Sequence, residues 1–220
     1  GGPIVYEWWE YAPVGRHHLY PPLLHLLLAG CLKLGLSGVF VLRVVSILVV
    51  PLLFVTIYLV MRRLFNEPIA LASLWSAMVP FSFPLHSAIT LASSLALIEL
   101  LWLLLAIERR RVLAAGSLLA LLFYTHLGLP WVGLASLLCY GLLRPSIRPV
   151  LLKASWGLGV AIPWFIHLAS HTQWLRPTWR YENETLELSI LVYGFALVGA
   201  VCCWKQTGPA RLLLSLWLGF

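Results

Sequence analysis

Aspartate is absent from these 220 residues, and charge of either sign is scarce: 10% of the chain is charged and 61% is hydrophobic. Soluble domains carry about 25% charged and roughly 45–50% apolar residues, so no soluble domain is legible here. Without aspartate there is no DxD-type metal motif in this stretch. A Gly-rich phosphate loop, a Walker motif and a Ser/His/Asp set are missing too. Cysteine is sparse, and Cys31, Cys139, Cys202 and Cys203 all sit in apolar stretches without CxxC or Cys/His metal spacing. They read as small buried apolar residues. No cofactor is evident, and a need for a divalent metal stays open.

What is there is membrane-like. The net charge of +7 comes from basic residues scattered at the ends of apolar runs rather than gathered on one polar face, which excludes nucleic acid as a partner. Eleven tryptophans suit interfacial belts. The chain starts on Gly1-Gly2 without a start methionine and stops inside an apolar run, Trp217-Leu218-Gly219-Phe220. It reads as truncated at both ends, with an earlier first span before Gly1.

A spanning helix needs about 20 apolar residues. The pattern predicts a helix at 20–36, then spans at 39–61, 68–85, 87–107, 112–126, 129–143, 150–170 and 187–204, with a partial one from 209. Asn66 with Pro68, and Gly208 with Pro209, mark helix starts. The 20–36 helix opens on Pro21-Pro22, carries His25 and Lys33, and suits the interface. Segments 112–126 and 129–143 are short, and their joint, Thr125 to Pro130, is placed to dip into the bilayer. The fold class expected is all-α, a polytopic bundle of about seven to eight spans plus a juxtamembrane helix. Residues 1–38 form an outer loop and that helix, and 39–220 the bundle.

Charge sets the orientation. With residues 1–38 outside the cell membrane, Arg62, Arg63, Arg109, Arg110, Arg111, Arg144, Arg148, Lys153, Lys205 and Arg211 face the cytoplasm. Arg16, Arg176 and Arg180 are left in outer loops. All seven histidines then fall in or near the outer half, as do Glu7, Glu10, Glu182, Glu184 and Glu187. That asymmetry points to a polar extracytoplasmic site.

Several constellations compete with plainer readings. Glu7 and Glu10 would share a helix face and offer a general base, or else belong to a solvated loop with interfacial tryptophan. Arg16, His17 and His18, ahead of Tyr20-Pro21-Pro22, suit a lipid phosphate or simple headgroup contact. Arg43, a few residues into its span, snorkels outward or faces a phosphate cavity. His126, beside Tyr124 and Thr125, is a phosphate donor or a hydrogen-bonded interfacial imidazole. Glu99, roughly 18 Å below the outer end of its span, reads as protonated or hydrogen-bonded to a neighbouring helix, or as the ion site of a transporter. The loop Trp174 to Tyr181 alternates aromatic and cationic residues and suits sugar stacking or anchoring.

Glu7-Trp8-Trp9-Glu10-Tyr11, Pro13 and Gly15-Arg16-His17-His18-Leu19-Tyr20-Pro21-Pro22-Leu23-Leu24-His25 resemble the first outer loop of GT-C superfamily membrane glycosyltransferases. The nearest look is to prokaryotic members similar to protein mannosyltransferases and oligosaccharyltransferase catalytic subunits. Phe40 to Ser46, Arg62 to Phe65 and Ala115 to His126 follow the same pattern, so the resemblance covers about residues 7–143. It implies sugar transfer from a polyprenyl-phosphate or -diphosphate donor to a protein, lipid or glycan acceptor at the outer face. Tyr20, His25, Arg16, His17, His18, Arg43 and His126 would then line the donor side. The acidic base that the family keeps early in this loop would lie before Gly1, with Glu7 and Glu10 as substitutes. The second-loop carboxylate expected near 81–90 is missing, for the chain reads Phe81-Ser82-Phe83-Pro84-Leu85-His86-Ser87. The alternatives are a lipid or polar-solute transporter and a non-catalytic membrane scaffold.

Overall fold

A computed structural model describes residues 6–7, 16–17, 20–78, 91–142, 148–171 and 208. It is helical. The described helices are α1 (Leu23–Lys33), α2 (Gly38–Leu64), α3 (Glu67–Met78), α4 (Leu91–Glu108), α5 (Val112–Thr125), α6 (Leu129–Leu142) and α7 (Arg148–Ser170). The one extended pairing described is an antiparallel ladder of Tyr6–Glu7 with Arg16–His17. The expected spans at 187–204 and from 209 lie outside the described residues, as does the end of the one at 68–85.

Among the described residues, three helices are long and apolar enough to cross a membrane: α2 with 27 residues, α4 with 18 and α7 with 23. At 1.5 Å per residue, the 14 residues of α5 and of α6 reach only about 21 Å, short of a hydrocarbon core of about 30 Å. α1 has 11 residues and reaches about 16 Å, so it is too short to cross. Pro51 and Pro163 lie inside α2 and α7. Each removes one helical N–H, a loss that membrane helices tolerate where neighbours re-satisfy the backbone.

The helix ends follow local chemistry. Ser37 caps α2 by accepting from the Phe40 N–H at 3.3 Å, and Asn66 caps α3 by accepting from Ile69 at 3.0 Å. α1 closes on Gly35, which takes a left-handed φ of 84° while Leu36 N–H reaches back to the Cys31 carbonyl. The turn between α4 and α5 uses the same device without glycine. Arg110 stands at φ 56°, and Arg111 N–H bonds the Ala106 carbonyl. A side chain held there costs roughly 1 kcal/mol.

α4 is the hub and packs on α2, α5 and α6. Its buried face, Leu100, Leu103, Leu104 and Ile107, meets Val60 of α2, Leu119 and Leu122 of α5, and Leu137 of α6. α5 and α7 approach closely because glycines face each other. A Cβ on Gly157 would stand 2.9 Å from the Gly116 carbonyl oxygen, and one on Gly116 would run into Trp156. Small residues allow this approach between membrane helices. Outward faces remain apolar: Ile47, Leu48, Leu52 and Val55 on α2, and Leu71 and Trp75 on α3, are exposed, as suits contact with lipid. Cys31 and Cys139 are free thiols, half-buried rather than buried as the sequence suggested, because each lies at the margin of its helix's packed face.

The bundle has two unlike ends. Hydrogen bonds from Ser93 to His126 and from Tyr140 to Glu108 run α5 antiparallel to α4 and bring α6 back alongside. α7 runs parallel to α5, since Gly116 meets Trp156 and Phe123 meets Phe165. Consequently His25, His126, His167 and His171 share one end, while Arg62, Arg63, Arg109, Arg110, Arg111 and Arg148 share the other. We call these the histidine end and the arginine end.

Candidate functional site

The site grows from three helix termini at the histidine end. Pro21-Pro22 starts α1 and holds Tyr20 just ahead of it. The Tyr20 ring meets His25 edge-on at 6.3 Å and His126 edge-on at 6.5 Å between centroids. His126 ends α5 in extended backbone. Its Nδ1 accepts from the Gly128 N–H at 3.0 Å and the Leu129 N–H at 3.2 Å, and its Nε2 lies 3.2 Å from Ser93 Oγ on α4.

Those bonds fix the tautomer. A nitrogen that accepts two backbone N–H groups carries no hydrogen, so the neutral ring holds its proton on Nε2 and donates to Ser93. His126 thus caps the start of α6 and ties it to α4. Both ring nitrogens are engaged within the protein, and a phosphate would have to displace Ser93 to bond Nε2. Partial burial lowers the His126 pKa from its ordinary 6.5, and burial pushes the Tyr20 phenol up.

The lowered value has a consequence for stability. As pH falls through 6.5, an unfolded chain takes up the proton before the folded one does. Folding stability is therefore expected to be full above that pH and to fall as the solution is acidified toward the lower folded value. Thermal unfolding in detergent across this range measures it, and His126→Gln is expected to flatten that part of the slope. An equal slope in the variant would remove His126 as its source.

Below this surface lies Glu99, 7% exposed. It sits six residues along α4 from Ser93, a rise of about 9 Å. Thr125 Oγ1 lies 2.9 Å from Glu99 Oε1 and 2.8 Å from the Leu121 carbonyl oxygen. The bond to a neighbouring helix expected of Glu99 is present. Its depth is less isolating than expected, because short α5 ends at Thr125 and brings the turn down to the carboxyl's level. On α7 a further column forms: Trp164 stacks on His167 at 5.4 Å, and the His167 and His171 ring centroids are 4.8 Å apart.

The expected site residues do not all converge. Tyr20, His25 and His126 come together. Arg43 stands exposed on α2, with no hydrogen bond or ion pair among the described residues. The ladder sets the Glu7 backbone opposite Arg16 and Tyr6 opposite His17. Glu7 is thus in extended rather than helical backbone, and Glu10, with which it was expected to share a helix face, lies outside the described residues. Glu10, His18 and the Trp174 to Tyr181 loop lie outside the described residues. Ser93 escaped the sequence reading, for a serine at the start of an apolar run carries no signal of its partner. Among the described residues, no three His, Cys, Asp or Glu side chains gather as a metal site.

No family model, curated protein or solved structure matches this chain. The site's own geometry is what the functional reading rests on. It offers aromatic edges, imidazoles and a hydroxyl at the rim, with a carboxyl beneath. At the opposite end, Tyr140 donates to Glu108 at 2.8 Å and the exposed Arg62 and Glu67 lie 3.9 Å apart. Contacts of that kind hold helices together or add little, and none of them opens toward the rim.

Proposed function

We propose that this chain belongs to an integral-membrane glycosyltransferase that moves a sugar from a polyprenyl-phosphate-linked donor to a protein, lipid or glycan acceptor. The observation that carries the reading is the convergence of Tyr20, His25, His126 and Ser93 at one end of an apolar bundle. Arg16 is four residues from Tyr20 in the chain, a reach of at most about 14 Å. Its cation, with His17 and Arg43, is the natural partner for a lipid phosphate at that rim. The charge rule puts the histidine end outside the cell. The finer architecture in this reading is a GT-C-like bundle of about seven to eight spans with α1 as its juxtamembrane helix.

In the reaction the acceptor's nucleophilic atom attacks the anomeric carbon with inversion. The bond from that carbon to the phosphate oxygen breaks, and the phosphate leaves with the electron pair. A carboxylate takes the acceptor's proton, with Glu7 or Glu10 as the candidates in this stretch. Fixed cations and imidazoles gain strength against the leaving phosphate in a low-dielectric rim.

The test is transfer from labelled polyprenyl-phosphate and polyprenyl-diphosphate sugars by the protein in its own membranes. Transfer is expected from one donor class and at least about tenfold less with His25→Ala or Arg16→Ala. Absence of transfer from every such donor would sink the reading. A lipid or polar-solute transporter is the second reading, favoured by the carboxyl buried in α4.

A further inference from the structure

Among the described residues Glu99 is the one buried acid, and the transfer reaction makes no use of it. It is 7% exposed, and its Oε2 has no hydrogen-bond partner among the described residues. Its neighbours along α4 pack on apolar groups: Ile98 against Val49 and Leu53 of α2, and Leu100 against Gly133 of α6. No described ion pair involves it. Toward the histidine end stand Tyr20, His25, His126, His167 and His171, and toward the arginine end Glu108, Tyr140 and the arginines. Of the described cations, Arg43 on α2 is exposed, and Lys153 on α7 donates to the Ile107 carbonyl.

Counting hydrogens decides how Glu99 is held. Thr125 has one hydroxyl hydrogen, and two oxygens lie within its reach: Leu121 O at 2.8 Å and Glu99 Oε1 at 2.9 Å. If the carboxyl were ionised, the two would compete for one hydrogen, and a buried charge would rest on half a bond. If Glu99 carries a proton on Oε1, it donates to Thr125 Oγ1, and Thr125 donates onward to Leu121. Every hydrogen then has its own acceptor. We propose that Glu99 is a reversible proton-binding site of the bundle, loaded from the histidine end through the Thr125 turn.

Access follows from placement. Thr125 is the last residue of α5, and the residues after it, Leu127 and Gly128, are exposed. One hydroxyl therefore separates the carboxyl from the turn at that surface. On the arginine side, Leu103, Leu104 and Ile107 close the helix core. A proton that reaches Glu99 from one end only is what coupled movement, or a proton store beside a reacting centre, requires. The inference does not depend on the sugar-transfer reading.

The native protein in vesicles tests it directly. A membrane-permeant carbodiimide modifies protonated carboxyls in apolar surroundings, and peptide mapping locates the adduct. An ordinary solvated carboxyl is protonated to less than about 1% at pH 7. Modification at Glu99 is therefore expected to exceed that at exposed Glu67 by about a hundredfold at pH 7. Raising the pH is expected to suppress it, and sodium ions at fixed pH are expected to leave it unchanged. The infrared carbonyl band of a protonated carboxyl is expected in the native protein and lost in Glu99→Gln. No adduct at Glu99, no such band at neutral pH, or protection by sodium would each overturn the assignment. Because the labelling needs no variant, a folding failure of Glu99→Gln leaves the test intact.

Discussion

Replacing Gly157 by valine is expected to destabilise the bundle by about 3 kcal/mol, at the top of the range for overpacking a close-packed contact. A Cβ there meets the Gly116 carbonyl oxygen at 2.9 Å and Leu119 at 2.9–3.0 Å. Backbone cannot rotate away as a side chain can, so α5 and α7 must separate. That separation also strains the Phe123–Phe165 ring contact and the bond from Tyr124 to the Val160 carbonyl. The control lies two residues on in the same helix. A Cβ on Gly159 has nothing within 4 Å, so Gly159→Ala should gain about 0.5–1 kcal/mol from helix propensity. Thermal unfolding of both variants in detergent gives the comparison. Equal midpoints would mean that α5 and α7 do not meet through Gly157.

For the sugar transfer proposed above, Tyr20→Ala is expected to lower the rate about a hundredfold, the scale of loss when a reacting group is misplaced by about 1 Å. The Tyr20 ring stands edge-on to both His25 and His126. Without it, the start of α1 is no longer keyed to the α5–α6 turn. Tyr20→Phe keeps both ring edges and is expected to stay within about threefold of native. Unfolding midpoints should barely move in either variant, because Tyr20 lies outside the helix core. A native rate in Tyr20→Ala would show that the ring cluster does not position the donor.

The helices themselves were legible. Asn66 with Pro68 announced α3, and Pro21-Pro22 announced α1, because capping and proline act within one turn of chain. The shortness of α5 and α6 could be counted, and the sorting of arginine from histidine followed from the alternation of spans. The extended backbone at Glu7 could not be foreseen, since its cause is a partner strand nine residues on. Nor could the left-handed Arg110, which occupies a position that usually signals itself by glycine.

The candidate site divides in the same way. His126 stood out from its residue type and its place at the tip of a hairpin. Its tautomer and its role as a cap depended on Gly128, Leu129 and Ser93, and only the last of these is distant in sequence. Glu99 stood out as a lone acid in an apolar run. Its hydrogen-bond partner, Thr125, lies 26 residues away on another helix.

By itself the sequence determined that the chain is helical and apolar, where most helices begin, and which end of the bundle collects imidazoles. Those properties depend on neighbours within a turn or on composition, and both are written along the chain. Tertiary structure alone decided that Tyr20 bridges two histidines, that Gly157 admits no side chain, and that Glu99 meets the Thr125 hydroxyl. Each of these is a distance between groups on different helices, and such distances are set only when α1, α4, α5, α6 and α7 pack together.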